Sequence, residues 1–514
     1  MVSAEAVDVG SSIIIAVIIA GLCRNRGWST AIPLLIGGIL VGLAPFGPTG
    51  PAEPELVLVV VLAPLVFGEA LTSSIVDLRR VSRPVMALAV GLVVIGAVVV
   101  GFVAQLVIPG IWTPMAFALG AILGPTDAVA VSATARKAGL PRRLVNVLEG
   151  ESLVNDGTAL TLLRVCSVAA AAGSVTALEA TGILLASVFG GLVVGLLGGF
   201  VLVAVVRRSR DTTVDNGAIL LAPLPLYYVA ELLHGSGILA VVVAALVVAH
   251  GTSSAVTYTG RLQAASLWTT ITFILQSAAF FLVGIEMPMV VRELPENQLP
   301  TLLMAIPVIF ATLVAVRFLF VFGMAAVAGS RDRGWVVAAW AGTRGPVSAL
   351  AAFTLPVTTV DGLPIPDRGL VICTTFGVVV LSLLLAPTVA VLARRLQLPA
   401  DDDTDVRRRV SVALARAALD RLEQIEETGE RCGEPLPASV VDDLRDHAEQ
   451  RLDRASGAVE SKAVSDRRLA RTLGVEMMRA EQEELLRLRD REGLPDALVR
   501  TVQKEIDVRI RALG

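Results

Sequence analysis

Apolar runs of about 20 residues, the length needed to cross a hydrocarbon core about 30 Å thick, recur along the chain as far as Arg395. They predict thirteen membrane-crossing helices, at roughly 9–23, 29–46, 55–77, 83–108, 112–136, 142–169, 178–206, 213–233, 236–251, 263–289, 298–329, 334–356 and 366–394. Two polar stretches interrupt this pattern from inside apolar segments. One is Gly124-Pro125-Thr126-Asp127, and the other is Glu149-Gly150-Glu151-Ser152-Leu153-Val154-Asn155-Asp156. An ionisable side chain at the bilayer centre costs roughly 2.5 to 3.5 kcal/mol on insertion scales, so several together mark an ion or substrate path.

Composition agrees with the pattern. Of 514 residues 54% are hydrophobic and 17% charged, and the mean hydropathy is +0.74, which excludes a soluble globular protein. The charge is unevenly placed: 22 of 43 Lys and Arg and 20 of 46 Asp and Glu occur up to Arg395, leaving 21 and 26 beyond it. Residues 1–395 therefore read as a transmembrane domain and 396–514 as a soluble, mildly acidic tail.

Loop charge tests the helix count, because Lys and Arg near helix ends favour the cytoplasm. Loops after odd-numbered spans hold fifteen basic residues, among them Arg24, Arg79, Arg80, Arg136, Lys137, Arg207, Arg331 and Arg333, whereas loops after even-numbered spans hold only Arg292 and Arg368. The N-terminus is expected outside and the tail inside the cell. Trp28, Trp112 and Trp335 fall at helix ends, as interfacial anchors do. The first apolar run follows no basic segment and precedes no small-residue cleavage site, so it reads as a retained helix. Cys23, Cys166, Cys373 and Cys432 have no CxxC spacing, and three histidines are too few for a metal motif.

Counting residues inward at 1.5 Å each brings Glu69, Asp127, Glu151, Asp156, Arg317 and Arg344 to roughly one layer, about 12 to 21 Å from the inner surface. In span six, positions four apart share a face, so Ser152 and Asp156 form one stripe and Glu151 and Asn155 its neighbour. One stripe can face an ion and the other a structural partner. The Glu151 charge calls for a basic partner. Arg164, near the outer end of that span, is expected to snorkel to the interface.

Spans five and twelve carry helix breakers at their centres: Gly120, Gly124 and Pro125 in one, Gly342, Gly345 and Pro346 in the other. Proline removes a donor and clashes with the preceding turn, and loose backbone at membrane depth survives only when buried in protein or lining a cavity. The two spans are separated by seven crossings and so run in opposite directions. That is the pattern of inverted repeats, with the interrupted pair pointing to a transport site. The predicted fold class is an all-α polytopic membrane protein: thirteen transmembrane helices in two inverted repeats, discontinuous helices 5 and 12, and an α-helical cytoplasmic tail.

The motifs Gly124-Pro125-Thr126-Asp127, Glu149 to Asp156 and Gly342-Thr343-Arg344-Gly345 resemble those of the monovalent cation/proton antiporter family, electroneutral class, over about 395 residues. That class includes bacterial sodium/proton antiporters and animal sodium/hydrogen exchangers. The resemblance implies that Asp156 binds cation and proton in turn. It implies that Asn155 marks the electroneutral class, that Asp127 and the Thr126 carbonyl belong to the unwound fifth helix, and that Ser152 adds an oxygen ligand. Glu69 matches an acidic position that contributes in some members. Glu151 would pair with Arg317, and Arg344 would sit at the helix crossover, neither touching the ion. The sequence departs from the family pattern at Ala128, where many members have proline, and at Thr343, where they have a bulkier apolar residue.

The resemblance further implies a non-enzymatic, cofactor-free homodimer in the plasma membrane, with sodium and protons as substrates, lithium as a second candidate cation, a role in pH homeostasis and no nucleic-acid partner. A core bundle of helices 4–6 and 11–13 would slide against a dimerisation bundle. Sodium is a hard cation served by carboxylate, carbonyl, hydroxyl and water oxygens, by analogy with calcium and magnesium. If the core turns over only when Asp156 is neutralised by one or the other, exchange is obligatory.

Potassium as the substrate is the nearest alternative, since the same oxygens serve both ions. A channel would need a continuous pore with a carbonyl filter or charged ring. An intramembrane aspartyl protease would need a Gly-x-Gly-Asp segment, absent at both aspartates. In the tail, three or four amphipathic helices are expected, with apolar faces such as Leu469, Leu473 and Met477. A regulatory role for it is conceivable on composition alone, and Arg407-Arg408-Arg409 could rest on anionic lipid.

Overall fold

Helices follow the apolar runs closely, and where they fall short a backbone reason is visible. The described residues are 4–44, 58–127, 140–173, 175–209, 211–252, 258–329, 332–398, 404–428 and 438–456, with single positions or pairs between 477 and 502. Among them this computed structural model has no strand, only an isolated bridge between Thr358 and Pro364. The chain divides into two compact units, Met1–Asp401 and Asp402–Gly514.

The first unit opens with α1 (Ala4–Asn25) and α2 (Ala31–Leu43), then α3 (Ala63–Thr72), entered through a π-helical turn at Leu58–Leu62. Short helices α4 (Ile75–Arg80) and α5 (Ser82–Met86) lead through a second π-helical stretch, Ala87–Leu92, into α6 (Val93–Val107). Next come α7 (Thr113–Ile122), the long α8 (Arg142–Ala172) and α9 (Ala177–Arg208), then α10 (Thr212–Leu221) and α11 (Pro223–Leu232). The remainder is α12 (Gly237–Gly251), α13 (Tyr258–Arg292), α14 (Leu299–Val327), α15 (Gly334–Trp340), α16 (Pro346–Phe353) and α17 (Arg368–Leu396).

Among the described residues, six segments are long and apolar enough to cross a bilayer: Ser82–Val107, Arg142–Ala172, Ala177–Arg208, Gln263–Arg292, Glu296–Val327 and Arg368–Leu396. Shorter apolar helices accompany them, so the chain is a multi-pass membrane protein.

Four expected spans are not continuous helices over the described residues. The third ends at Thr72, where Ser73 and Ser74 separate it from α4. The eighth is two helices meeting at Ala222, where Pro223 starts α11 with no amide to donate;. The fifth stops being helical after Ile122, and its expected residues 128–136, with Ala128 and Arg136, lie outside the described residues. The twelfth is split into α15 and α16 by the non-helical stretch 341–345. Proline alone does not account for these breaks, because Pro288, Pro307 and Pro387 lie within continuous helices.

Small residues set the closest helix contacts. Gly191, Gly195 and Gly199, four apart on one face of α9, lie so near α12 that an added Cβ would meet Ser236, Ala240 and Ala244. Without a hydrophobic drive between helices in lipid, such close packing is a main source of association.

In the second unit α18 (Thr404–Thr428) packs on α19 (Ala438–Ser456). Arg445 bridges them to Glu426 at 2.6 Å. Of the positions expected to form apolar faces, Leu469 and Leu473 fall outside the described residues, and Met477 is 64% exposed.

Candidate functional site: a cavity between two interrupted helices

A helix that stops inside a membrane leaves carbonyls and amides that water cannot satisfy. Here the two interrupted segments satisfy each other. The Asp127 amide donates to the Thr343 carbonyl at 2.7 Å, and the Thr343 hydroxyl donates back to the Asp127 carbonyl at 3.1 Å. The Arg344 guanidinium closes both broken ends, donating from Nε to the Leu123 carbonyl just past α7 at 3.0 Å and from Nη1 to the Gly342 carbonyl after α15. A cation at helix C-termini is electrostatically well placed. The Arg344 amide donates to the Ser382 hydroxyl of α17 at 3.0 Å, anchoring the crossing to a third helix. Two glycines permit this approach: a Cβ at Gly345 would strike the Asp127 side chain, and one at Gly342 the Arg317 side chain.

Facing the crossing, α8 divides its polar residues between two neighbours. Glu151, 1% exposed, makes a two-pronged ion pair with Arg317 of α14, Nη1 to Oε1 at 2.5 Å and Nη2 to Oε2 at 2.9 Å. Arg317 Nε donates to the Ala338 carbonyl of α15 at 3.1 Å. Thr126 donates to Glu151 Oε1 at 3.0 Å, and Asn155 Nδ2 donates to the Thr126 hydroxyl at 2.9 Å. The Glu151 charge is thus matched by a guanidinium and a hydroxyl.

The other stripe, Ser152 and Asp156, turns to a cavity of about 20 Å³. That is room for one water or one small ion. Glu69 of α3, Thr126 and Asp127 of the first interrupted segment, Gln276 of α13 and Ser348 of α16 line it as well. Asp156 is 5% exposed, and its carboxyl interacts electrostatically with that of Asp127. Neither a hydrogen bond nor an ion pair holds the Asp156 carboxyl among the described residues. Glu69, half-buried, feels both aspartates. No three His, Cys, Asp or Glu side chains converge to hold a metal among the described residues, so Glu69 lines the cavity without forming a three-carboxylate cluster. Two carboxylates with hydroxyl and amide oxygens suit a hard monovalent cation.

Of the residues singled out from sequence, Glu69, Thr126, Asp127, Ser152 and Asp156 line the cavity, Asn155, Glu151 and Arg317 form the adjoining network, and Arg344 lies behind the crossing. Sequence reading missed Gln276 and Ser348. An amide alone in an apolar span and a hydroxyl two residues past Pro346 were the available signals.

Arg164, expected to snorkel, has protein partners. It forms an ion pair with Glu231 of α11 at 3.0 Å and donates to the Gly235 carbonyl at 3.0 Å. Both side chains line a separate cavity of about 440 Å³.

Comparison with known proteins agrees with this architecture. Residues 11–392 match the family described as sodium/hydrogen exchanger, transmembrane. An uncharacterised Na(+)/H(+) exchanger of Mycobacterium tuberculosis is 30% identical over 96% of this chain and 94% of its own length. A sodium, potassium, lithium and rubidium/H(+) antiporter of Bacillus subtilis is 27% identical over 91% of this chain and 72% of its own. In fold, the chain is similar to the sodium proton antiporter MjNhaP1 from Methanocaldococcus jannaschii, with a TM-score of 0.63 at 20% identity, over 76% of this chain and 97% of that one. A match across most of the membrane unit, with the motif residues gathered around one buried cavity, places this chain in the sodium/hydrogen exchanger family, membrane transporters that exchange monovalent cations for protons.

Proposed function

We propose that this chain is an electroneutral secondary transporter that exchanges sodium, with lithium as a second cation, for protons at Asp156. The observation that carries the reading is the Asp156 carboxyl itself: buried, held by no hydrogen bond among the described residues, and sharing a one-ion cavity with Asp127. Two carboxylates in a desolvated space favour uptake of one positive charge. A proton and a sodium ion are alternative ways to supply it, and competition between them couples the two fluxes.

In this reading Asp156, Asp127, Ser152 and the Thr126 carbonyl hold the cation, with Glu69 at the rim. Asn155 keeps the stoichiometry at one for one, because an amide carries no second charge. Glu151 with Arg317 braces α8 against α14, and Arg344 holds the crossover. The thirteen spans form two inverted repeats in the plasma membrane, N-terminus outside and tail inside. A core bundle of spans 4–6 and 11–13 moves against the remaining helices of a homodimer to give alternating access, and the tail, residues 396–514, is regulatory.

Potassium is a second reading of the same site, favoured by the Bacillus subtilis relative, whose name includes potassium and rubidium. Purified protein in proteoliposomes with an imposed pH gradient separates them. Sodium should dissipate the gradient without charging the membrane, and its KM should rise as pH falls, as competition requires. Exchange that generates a membrane potential would reject electroneutrality, and a KM indifferent to pH would reject the shared site.

A further inference from the structure

We propose that Ser348 supplies a neutral oxygen ligand to the transported cation, making the second interrupted helix part of the coordination shell and not only of the scaffold. The inference rests on the ion site proposed above and extends it to a further residue lining the cavity.

Hydroxyls inside helices usually satisfy themselves by donating to the carbonyl one turn back. Thr161 does so to Gly157 at 2.7 Å, Ser277 to Phe273 at 2.7 Å and Thr312 to Val308 at 2.8 Å. Ser348 does not. The carbonyl one turn before it belongs to Arg344, which lies in the non-helical crossing and sits instead against the Ser382 hydroxyl at 3.3 Å. The Ser348 side chain is 1% exposed, and its Oγ has no hydrogen-bond partner among the described residues. A buried hydroxyl left in this state is a standing cost unless something else meets it.

Location separates Ser348 from other hydroxyls in the same condition. Thr374 and Thr375 of α17 are also buried and without a hydrogen-bond partner among the described residues, but neither lines the cavity that holds Asp127 and Asp156. Ser348 lines it, on the first turn of α16, together with Ser152 and Asp156 of α8. The space, about 20 Å³, has room for a single small ion. A cation there meets carboxylates from one interrupted segment and from α8, and the Ser348 oxygen from the other interrupted segment.

The chemistry gives this role its own signature. A serine hydroxyl neither gains nor loses a proton across the working range, so its removal weakens the cation and leaves proton affinity at Asp156 alone. A merely structural serine would disturb both. The test compares wild type with Ser348→Ala and Ser348→Cys, which replace a hard oxygen with nothing or with a soft sulfur of similar size. Thr374→Val serves as the control.

Exchange in proteoliposomes gives sodium KM and the pH of half-maximal exchange at saturating sodium, and sodium-dependent melting of the detergent-solubilised protein gives binding without turnover. Both Ser348 variants should raise sodium KM roughly tenfold, the loss expected for one polar contact. They should need correspondingly more sodium for thermal stabilisation, with the half-maximal pH and the sodium-free melting temperature unchanged. A sodium KM within twofold of wild type would overturn the inference while leaving the exchange reading intact. Joint movement of sodium KM, pH dependence and sodium-free melting temperature would overturn it too, assigning the hydroxyl to the scaffold. Wild-type protein that neither exchanges nor is stabilised by sodium would remove both readings.

Discussion

Glu151 and Asp156 stand on adjacent stripes of one helix, both almost wholly buried, yet their surroundings are opposites. Glu151 has a two-pronged guanidinium, a hydroxyl and a second helix tied to it. Asp156 has a second carboxylate nearby, a small cavity and no hydrogen-bond partner among the described residues. Burying a charge is tolerable only if something compensates it. At Glu151 the compensation is built into the protein; at Asp156 it has to arrive from outside. Under the proposed function, the difference gives one carboxylate to structure and the other to exchange, although the sequence places them only five positions apart.

Asp156→Asn is expected to have the largest effect. It keeps the shape of the side chain and removes the site's capacity for a proton or a cation, so cation/proton exchange in proteoliposomes should fall to background. The melting temperature should stay near wild type, because no internal partner is stranded. Retained exchange would erase the distinction between the two stripes.

Glu151→Ala should reverse that profile. It leaves Arg317 buried with its main partner gone, at a cost of roughly 3 to 5 kcal/mol, read as lost yield and a lowered melting temperature. Pairing it with Arg317→Met should recover much of the stability, since a buried pair replaced by apolar groups is often neutral or better. If the double variant regains stability and exchanges sodium, the ion pair is a brace. Full stability with lost transport in Glu151→Ala would instead bring Glu151 into the ion path.

How much of this was legible before folding depends on the range of the interaction. The two stripes of α8 follow from helical periodicity, and the interruptions from glycine beside proline, both local properties. That Pro125 and Pro346 flank non-helical stretches while Pro288, Pro307 and Pro387 lie inside helices is not local. The break persists where two segments cross and exchange hydrogen bonds, as at Asp127 and Thr343, and such pairing has no signature in either segment alone. Arg344 shows the same limit, reaching a carbonyl 221 positions away. Ser348 and Gln276 went unnoticed because a single hydroxyl or amide in an apolar run is common, and only the cavity distinguishes these two from the rest.

The third charged pair sharpens the comparison from its weak end. Arg164 and Glu231 meet at 3.0 Å, but their side chains remain 29% and 37% exposed, on the wall of a wide cavity. Water can replace either partner there, so a pair of this kind is worth about 0 to 1 kcal/mol. Arg164→Ala should therefore lower the melting temperature far less than Glu151→Ala does, although both remove half of an ion pair from the same helix. Raising the salt concentration should weaken the wild-type Arg164 contribution and leave that of Glu151 almost untouched, because screening reaches exposed pairs and not buried ones. If the two substitutions proved equally destabilising, burial would not be what separates scaffold charge from replaceable charge, and the assignment of Asp156 by its surroundings would lose its physical basis.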